Sequence, residues 1–275
     1  MSAKPTVLVT GASSGIGAVY ADRFAIRGHD LVLVARNRER METLAERLRK
    51  TQGVSVEVIE ADLTNEQDLS RVEARLREDE RIGILVNNAG AAAAGAFLDQ
   101  SANDDRNIIN LNVLAVTRLA HAVAPRFAAA GTGSIINISS IIGFAPEIGL
   151  TVYGATKAFV TFLTQGLHQE LGSKGVYVQA VLPGGTRTEI WERSGRNAED
   201  VPGLMEVNEL VDAALVGFDR REIVTIPPLH DVEQWVAVDA ARQKMLPNLR
   251  NSHAAPRYKK DSLTDLPAFD RQANR

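Results

Sequence analysis

A chain of 275 residues that is 45% hydrophobic and 24% charged can bury one large α/β core. Its formal net charge of −3 and pI near 6.0, with both signs spread along the chain, leave no cationic stripe for a polyanion, so nucleic acid is excluded as an expected partner. It has no cysteine, which rules out disulfides and thiolate metal sites, and His29, His121, His168, His230 and His253 lack ligand spacing, so no metal is expected.

Met1-Ser-Ala-Lys-Pro5 runs directly into strand-like Val7-Leu-Val9 without a signal peptide's apolar core, which makes a cytoplasmic location the expectation. The longest apolar runs are broken by Asn, Gly or charge, so no membrane span is expected either. Thr6–Thr10 reads as a strand ended by Gly11-Ala-Ser-Ser-Gly15-Ile-Gly17, after which Ile16, Val19, Tyr20 and Phe24 recur at helical spacing. Glycines at 11, 15 and 17 let the backbone turn tightly and approach a ligand, and the helix start behind them offers free N–H groups to an anion. A dinucleotide pyrophosphate fits there. Gly11-Ala-Ser13-Ser-Gly15 also matches the nucleophile elbow of hydrolases. That elbow normally follows several strands, whereas a nucleotide loop follows the first, and Gly17 extends the nucleotide pattern.

Leu31–Val34 is a second strand, closing with Ala35-Arg36-Asn37-Arg38. An acid here would bind the ribose 2′-hydroxyl. It is missing, and the Arg36 guanidinium can instead pair with a phosphate, which favours NADP over NAD. Met41, Leu44, Ala45 and Leu48 form a helical stripe closed by Gly53; Val54, Val56 and Val58 then alternate as a third strand ending at Ala61-Asp62-Leu63. Thr64-Asn-Glu-Gln67 has the form of a capping box opening the next helix. Asp62 can accept a hydrogen bond from an adenine amino group or serve as a turn residue.

Ile84–Val86 is a fourth strand running into Asn87-Asn88-Ala89-Gly90, small and amide residues suited to a wall against a ligand, with Asn87 tying neighbouring strands together. Residues 91 to 96 read as loop. Residues 103 to 130 read as one long helix with Asn112 inside it, either facing water or holding something in the interior. Ser134–Ser140 is the fifth strand, within which Asn137-Ile-Ser139 matches a glycosylation sequon at a buried position. Thr151–Leu171 is a helix carrying Tyr153 and Lys157, whose i,i+4 spacing puts phenol and ammonium on one face. Unit charges about 4 to 5 Å apart at an effective dielectric near ~20 interact by roughly 3 to 4 kcal/mol, enough to draw a phenol toward acid/base work near neutrality. Val176–Leu182 is strand six, ended by Pro183-Gly184-Gly185-Thr186-Arg187-Thr188, a turn that could meet a carboxamide. Residues 189 to 205, with Trp191, read as a flap over a pocket, Glu206–Phe218 as helix and Glu222–Ile226 as a seventh strand. The organisation expected is a domain over 1–226 and a C-terminal extension over 227–275, with a short helix around Trp235 to Met245.

Alternating strands and helices imply a Rossmann-type doubly wound parallel α/β sheet of about seven strands, with helices on both faces and its ligand at the carboxyl ends of the strands. Gly11 to Gly17, Arg36, Asp62, Asn87, Ser140 and Pro183 each follow a strand, which gathers them at one crevice. Together, Thr10-Gly-Ala-Ser-Ser-Gly-Ile-Gly17, Asp62, Asn87-Asn-Ala-Gly90, Asn112, Ser140, Tyr153-x-x-x-Lys157 and Pro183-Gly184 with Thr188 resemble the short-chain dehydrogenase/reductase family, from about residue 5 to 226. The resemblance implies catalytic Ser140, Tyr153, Lys157 and Asn112. In it the tyrosine is proton donor or acceptor, the lysine lowers its pKa and binds the nicotinamide ribose, and the serine steadies the substrate oxygen. Asn112 completes the tetrad, and the family's spacing selects Ser140 over Ser139. The candidate cofactor-binding set is Gly11, Ser13, Ser14, Gly15, Ile16, Gly17, Arg36, Asp62, Leu63, Asn88, Ala89, Gly90, Tyr153, Lys157, Pro183, Gly184, Thr186 and Thr188. The activity implied is NADPH-dependent reduction of a ketone or aldehyde, with a 3-oxoacyl thioester reductase or a non-catalytic dinucleotide-binding regulator as alternatives. A small carbonyl or alcohol is the expected partner. Ile226-Pro-Pro replaces the family's usual glycine-rich turn, so a homodimer through helices 103–130 and 151–171 stands beside a homotetramer.

Overall fold

Runs of β-branched and aliphatic residues build the sheet. β1 (Thr6–Thr10), β2 (Leu31–Ala35), β5 (Ser134–Ile138) and β6 (Tyr177–Val181) are buried at every position, as strands covered on both faces must be. With β3 (Val56–Glu60), β4 (Ile82–Asn87) and β9 (Val224–Thr225) they pair, all in parallel, in the order β3-β2-β1-β4-β5-β6-β9. This computed structural model describes residues 4–92, 97–189 and 197–258. The chain divides into two compact units, Met1–Pro228 and Leu229–Arg275.

Alternation within each strand sends side chains into two cores. Val7, Val9, Leu31 and Leu33 pack with Tyr20 and Phe24 of α1 (Gly15–Ile26), Met41 and Leu48 of α2 (Arg38–Gln52) and Leu215 of α7 (Val207–Asp219). Leu8, Val32 and Leu85 face the opposite way. They meet Leu69 and Leu76 of α3 (Glu66–Glu78), Leu119 and Phe127 of α5 (Val116–Ala130) and Leu171 of α6 (Thr151–Leu171). Crossovers from β1 run to one side and from β4 to the other, so the carboxyl ends of these two strands open a crevice at the switch point.

Several element boundaries differ from those expected. β3 begins at Val56 rather than Val54, because the preceding Ser55 is held by Asp30, whose carboxylate accepts its N–H at 2.7 Å. The seventh strand shrinks to Val224–Thr225, ahead of Pro227, which has no N–H to give the ladder. Helix α3 is capped by Asn65 rather than Thr64: its side chain accepts from the N–H of Gln67 and Asp68, while Thr64 is drawn off by Asp62. The expected flap ends in β8 (Met205–Glu206), which pairs with β7 (Thr186–Arg187) just before it; Trp191 lies outside the described residues. The long helix is α4 (Ala102–Ile109) joined to α5 through a wider π-turn at Asn110–Ala115. By length and composition alone Ala102–Ala130 could cross a membrane, contrary to the expectation above, yet 44% of its most apolar 18-residue window is buried inside the protein.

In the second unit, α8 (Val232–Met245) is capped by Asp231, whose side chain accepts from the N–H of Glu233, and none of its residues is fully buried. It begins three residues before the expected Trp235.

Candidate active site

The turn after β1 is built on glycines for reasons of space. Gly11 has φ +66, and a Cβ there would lie 2.7 Å from Asn88 Nδ2 and 2.9 Å from Ala89 Cα; Gly15 has φ +55. Thr10 joins this turn to the end of β4: its hydroxyl donates to the Val86 carbonyl and accepts from the N–H groups of Asn88 and Ala89, both at 3.0 Å. Asn88 Nδ2 donates back to the Thr10 carbonyl at 2.9 Å. The two strand ends are thus fastened at the switch point. Behind them α1 starts with no acidic residue in its first turn, leaving its N-terminal dipole to an anion.

One cleft of about 1020 Å³ runs across these strand ends, at the upper limit of roughly 300 to 1,000 Å³ for ligand sites. Of the expected residues, Gly11, Ser13, Ser14, Gly15, Ile16, Arg36, Asp62, Leu63, Asn88, Ala89, Gly90, Ser140, Tyr153, Lys157, Pro183, Gly184, Thr186 and Thr188 line it. Gly17 and Asn112 do not. Gly17 faces the turn instead, where a Cβ would collide with Asn88 Nδ2 and the Gly11 carbonyl, so its smallness serves packing and not ligand contact. Arg38, Leu111, Ile141, Ile142, Ile148, Leu150 and Glu189 line the cleft without having been singled out; only the cationic Arg36-Asn37-Arg38 run carried a signal for any of them.

At one end, the Arg36 side chain is 74% exposed and its Nη1 lies 4.0 Å from Asp62 Oδ2. Asp62 is occupied as a turn residue, accepting from the Thr64 N–H at 2.9 Å and hydroxyl at 2.7 Å. Burial opposes its ionisation, but these two bonds and Arg36 hold its carboxyl below the usual carboxylate range. Asn37 caps α2 by accepting from the Arg40 N–H, and Arg40 reaches Glu189 at 2.7 Å, linking the start of α2 to the segment that follows β7. These features fit a dinucleotide: glycines a side chain would overfill, an uncapped anion-binding helix end, and two guanidinium groups where a ribose phosphate would fall.

At the other end, β5 delivers Ser140 and α6 delivers Tyr153 and Lys157. Tyr153 is partly exposed to the cleft and its phenol bonds Ser140; Lys157 is 6% exposed, with Nζ 5.6 Å from the Tyr153 ring centroid and 2.8 Å from the Ile138 carbonyl it donates to. Ser140 also donates to the Pro183 carbonyl at 3.4 Å. Ser139 is the inner of the pair: its hydroxyl donates to the Lys157 carbonyl at 2.7 Å and pairs with Thr161, pinning α6 against β5. Lys157 is not among the groups that set the phenol's pKa in this structure. Burial raises the Tyr153 pKa above the ordinary value, and the Ser140 hydrogen bond only partly offsets it. The ammonium lies over the ring and donates to the Ile138 carbonyl.

Asn112 is 1% exposed and sits in the π-turn, turned inward. Its Oδ1 accepts from the Ala91 N–H at 2.9 Å; its Nδ2 donates to the Ala91 carbonyl at 2.8 Å and to Thr156 Oγ1 at 3.0 Å, and Thr156 in turn donates to the Tyr153 carbonyl. It therefore holds the loop after β4 to the helix carrying Tyr153. A Cβ at Gly90 would lie 3.2 Å from Asn112 Oδ1 and 3.5 Å from Lys157 Nζ, so the loop passes close to both. A second polar ladder ties the same helix to the sheet: Asn87 Nδ2 donates to Asn137 Oδ1 and Asn137 Nδ2 to Thr164 Oγ1. Asn137, the sequon residue, is fully buried.

Lys157 makes a stability prediction. Burial holds its amine down to about 8, against about 10.4 in an unfolded chain. While charged, a buried base opposes folding. Between these two values the unfolded chain binds the extra proton, so this group's contribution rises with pH from about 8 to about 10. Lys157→Met is expected to stabilise the protein near neutral pH by up to about 2 kcal/mol, net of the lost bond to Ile138, with the advantage gone by about pH 10. Denaturant melts of both proteins across that range check it; a difference independent of pH would contradict it.

A parallel sheet with a dinucleotide-sized cleft at its switch point, and a serine, tyrosine and lysine gathered at one end, defines a Rossmann-type oxidoreductase. The family model for short chain dehydrogenases matches residues 5–199, and the chain belongs to that family. A short-chain dehydrogenase from Sphingobium yanoikuyae, solved in complex with NADPH, is 62% identical, with the match covering 93% of this chain and 100% of that one at a TM-score of 0.91. The bulky-bulky ketone specific alcohol dehydrogenase from Comamonas testosteroni is 58% identical over 94% of this chain and 99% of its own, at a TM-score of 0.88. The very-long-chain 3-oxoacyl-CoA reductase of Anas platyrhynchos is 39% identical over 181 residues, 64% of this chain and 58% of that protein. The chain thus spans a little over half the length of the curated relatives it matches.

Proposed function

We propose that this chain is an NADPH-dependent reductase of ketones and aldehydes, with ketones carrying two bulky substituents as its preferred class, and that it also runs the reverse alcohol oxidation. The observation that carries this reading is the Tyr153 phenol bonded by Ser140 and backed by Lys157 at the wall of one cleft. NADPH, when bound, supplies the hydride. Tyr153 holds the proton that the substrate oxygen takes up, Ser140 donates a hydrogen bond that steadies that oxygen, and Lys157 places a positive charge behind the phenol as it loses its proton. Arg36 and Arg38 are the groups suited to the 2′-phosphate; Asn112 and Thr156 act as positioning residues for the helix. The catalytic unit spans 1–226, with 227–275 an extension of it, in a cytoplasmic enzyme.

A 3-oxoacyl thioester reductase is the second reading, favoured by the similarity to very-long-chain 3-oxoacyl-CoA reductases. Against it, Ala91, Ala92, Leu111, Ile141, Ile142, Ile148 and Leu150 line the cleft without a charge, and Lys157 is the one cation among the described lining residues outside the Arg36-Arg38 end. Coenzyme A phosphates would want more. Following NADPH loss with a diaryl or branched ketone and with a 3-oxoacyl-CoA separates the two: turnover of the thioester alone would reverse the assignment, and turnover of neither would leave the regulator.

The active assembly is a homodimer through α4–α5 and α6. Ile109 (45% exposed), Leu114 (45%) and Phe162 (79%) leave an apolar surface on these helices that a second copy would cover. Phe162→Glu is expected to convert the dimer to a monomer by light scattering on a sizing column; an unchanged mass would rule out this interface.

A further inference from the structure

Among the described residues, two other than glycine hold a positive φ, Leu150 at 56° and Arg221 at 61°. Arg221 is accounted for by its place. It follows the last turn of α7, and its own N–H and that of Glu222 bond the carbonyls of Phe218 and Gly217, so it is a left-handed helix stop. Leu150 has no such duty. It precedes α6 at the N-cap position, where an extended Ser, Thr, Asn or Asp is the usual occupant, yet it has φ 56 and ψ 51 and its side chain caps nothing. A Cβ is unfavourable in this backbone conformation, and a side chain with no local reason to be there needs another one.

The cleft supplies it. Leu150 lines the wall with Ile142 and Ile148, three positions before Tyr153, and its carbonyl accepts the Gly154 N–H at 2.7 Å, which joins the strained residue to the first turn of the catalytic helix. We infer that Leu150 is a specificity-determining residue, held left-handed so that its isobutyl group packs against a large apolar arm of the carbonyl substrate. A polar cap in the ordinary conformation would stabilise the helix but would set a hydrogen-bonding group, not a hydrocarbon surface, beside the reacting carbonyl. The inference rests on the carbonyl-reductase reading and names the part of the substrate that this wall selects.

Two variants test it. Leu150→Gly removes side chain and strain together; Leu150→Ala removes the side chain and keeps the strain. In both, the ratio of kcat/KM for a ketone with two bulky arms to that for a small methyl ketone is expected to fall tenfold or more, while the NADPH dissociation constant stays within twofold. Leu150→Gly should melt no lower than the parent, because the strain is gone. A ratio unchanged within twofold in both variants would overturn the inference and leave the reductase reading standing, as would a glycine variant that melts several degrees lower, since the leucine would then be a packing residue. A parent protein that reduces neither ketone with NADPH brings down both.

Discussion

Tyr153→Phe is expected to lower kcat by on the order of a thousandfold while leaving NADPH affinity within a few-fold of the parent. The substitution deletes one oxygen. The ring stays, so the packing around it and the Lys157 ammonium 5.6 Å from its centroid persist. What goes is the proton that the substrate oxygen must receive; general acid catalysis by one positioned group is worth about 10² to 10⁴. Ser140 does not replace it, because an alcohol is a far weaker acid than a phenol. Steady-state rates with a saturating ketone, beside a fluorescence titration with NADPH, provide the two readouts. A variant retaining more than a tenth of parental kcat would remove Tyr153 from the chemistry.

Arg36→Asp is expected to invert the cofactor preference, with kcat/KM for NADPH falling about 10 to 100-fold and that for NADH rising. A charge-assisted hydrogen bond to phosphate is worth about 1.5 to 3 kcal/mol, and the new carboxylate both repels the 2′-phosphate and can accept from ribose hydroxyls. Because the Arg36 side chain is 74% exposed and its ionic neighbour Asp62 is 4.0 Å away, stability should change by no more than about 0.5 kcal/mol. Arg38 lines the same end of the cleft and would keep part of the attraction for the 2′-phosphate. Parallel KM measurements with both cofactors decide the matter; an unchanged ratio would move the phosphate elsewhere.

How far the sequence reaches is clear from particular residues. The β-branched run Thr6–Thr10 and the glycine turn after it are local signals, and they placed β1, α1 and the crevice at the strand ends. The i,i+4 spacing of Tyr153 and Lys157 is likewise a matter of helix geometry, and both residues do line one cleft. Gly17 shows the limit. It belongs to the same motif as Gly11 and Gly15, but whether a motif glycine faces the ligand or its own scaffold depends on where β4 brings Asn88, 71 residues further along.

The chain's own pattern of periods, turns and strand-end residues therefore determined the fold class, the position of the cleft and the residue types at its chemical end. Tertiary structure decided what those residues are bonded to. Asn112 turns inward because Ala91 and Thr156, from two other elements, satisfy every polar atom it has. The Tyr153 phenol is raised because burial by the assembled domain outweighs one hydrogen bond. Leu150 is left-handed at a position where its residue type argues against it. Local conformation follows from a few neighbouring residues, whereas burial and hydrogen-bond partnership are sums over groups brought together from across the chain.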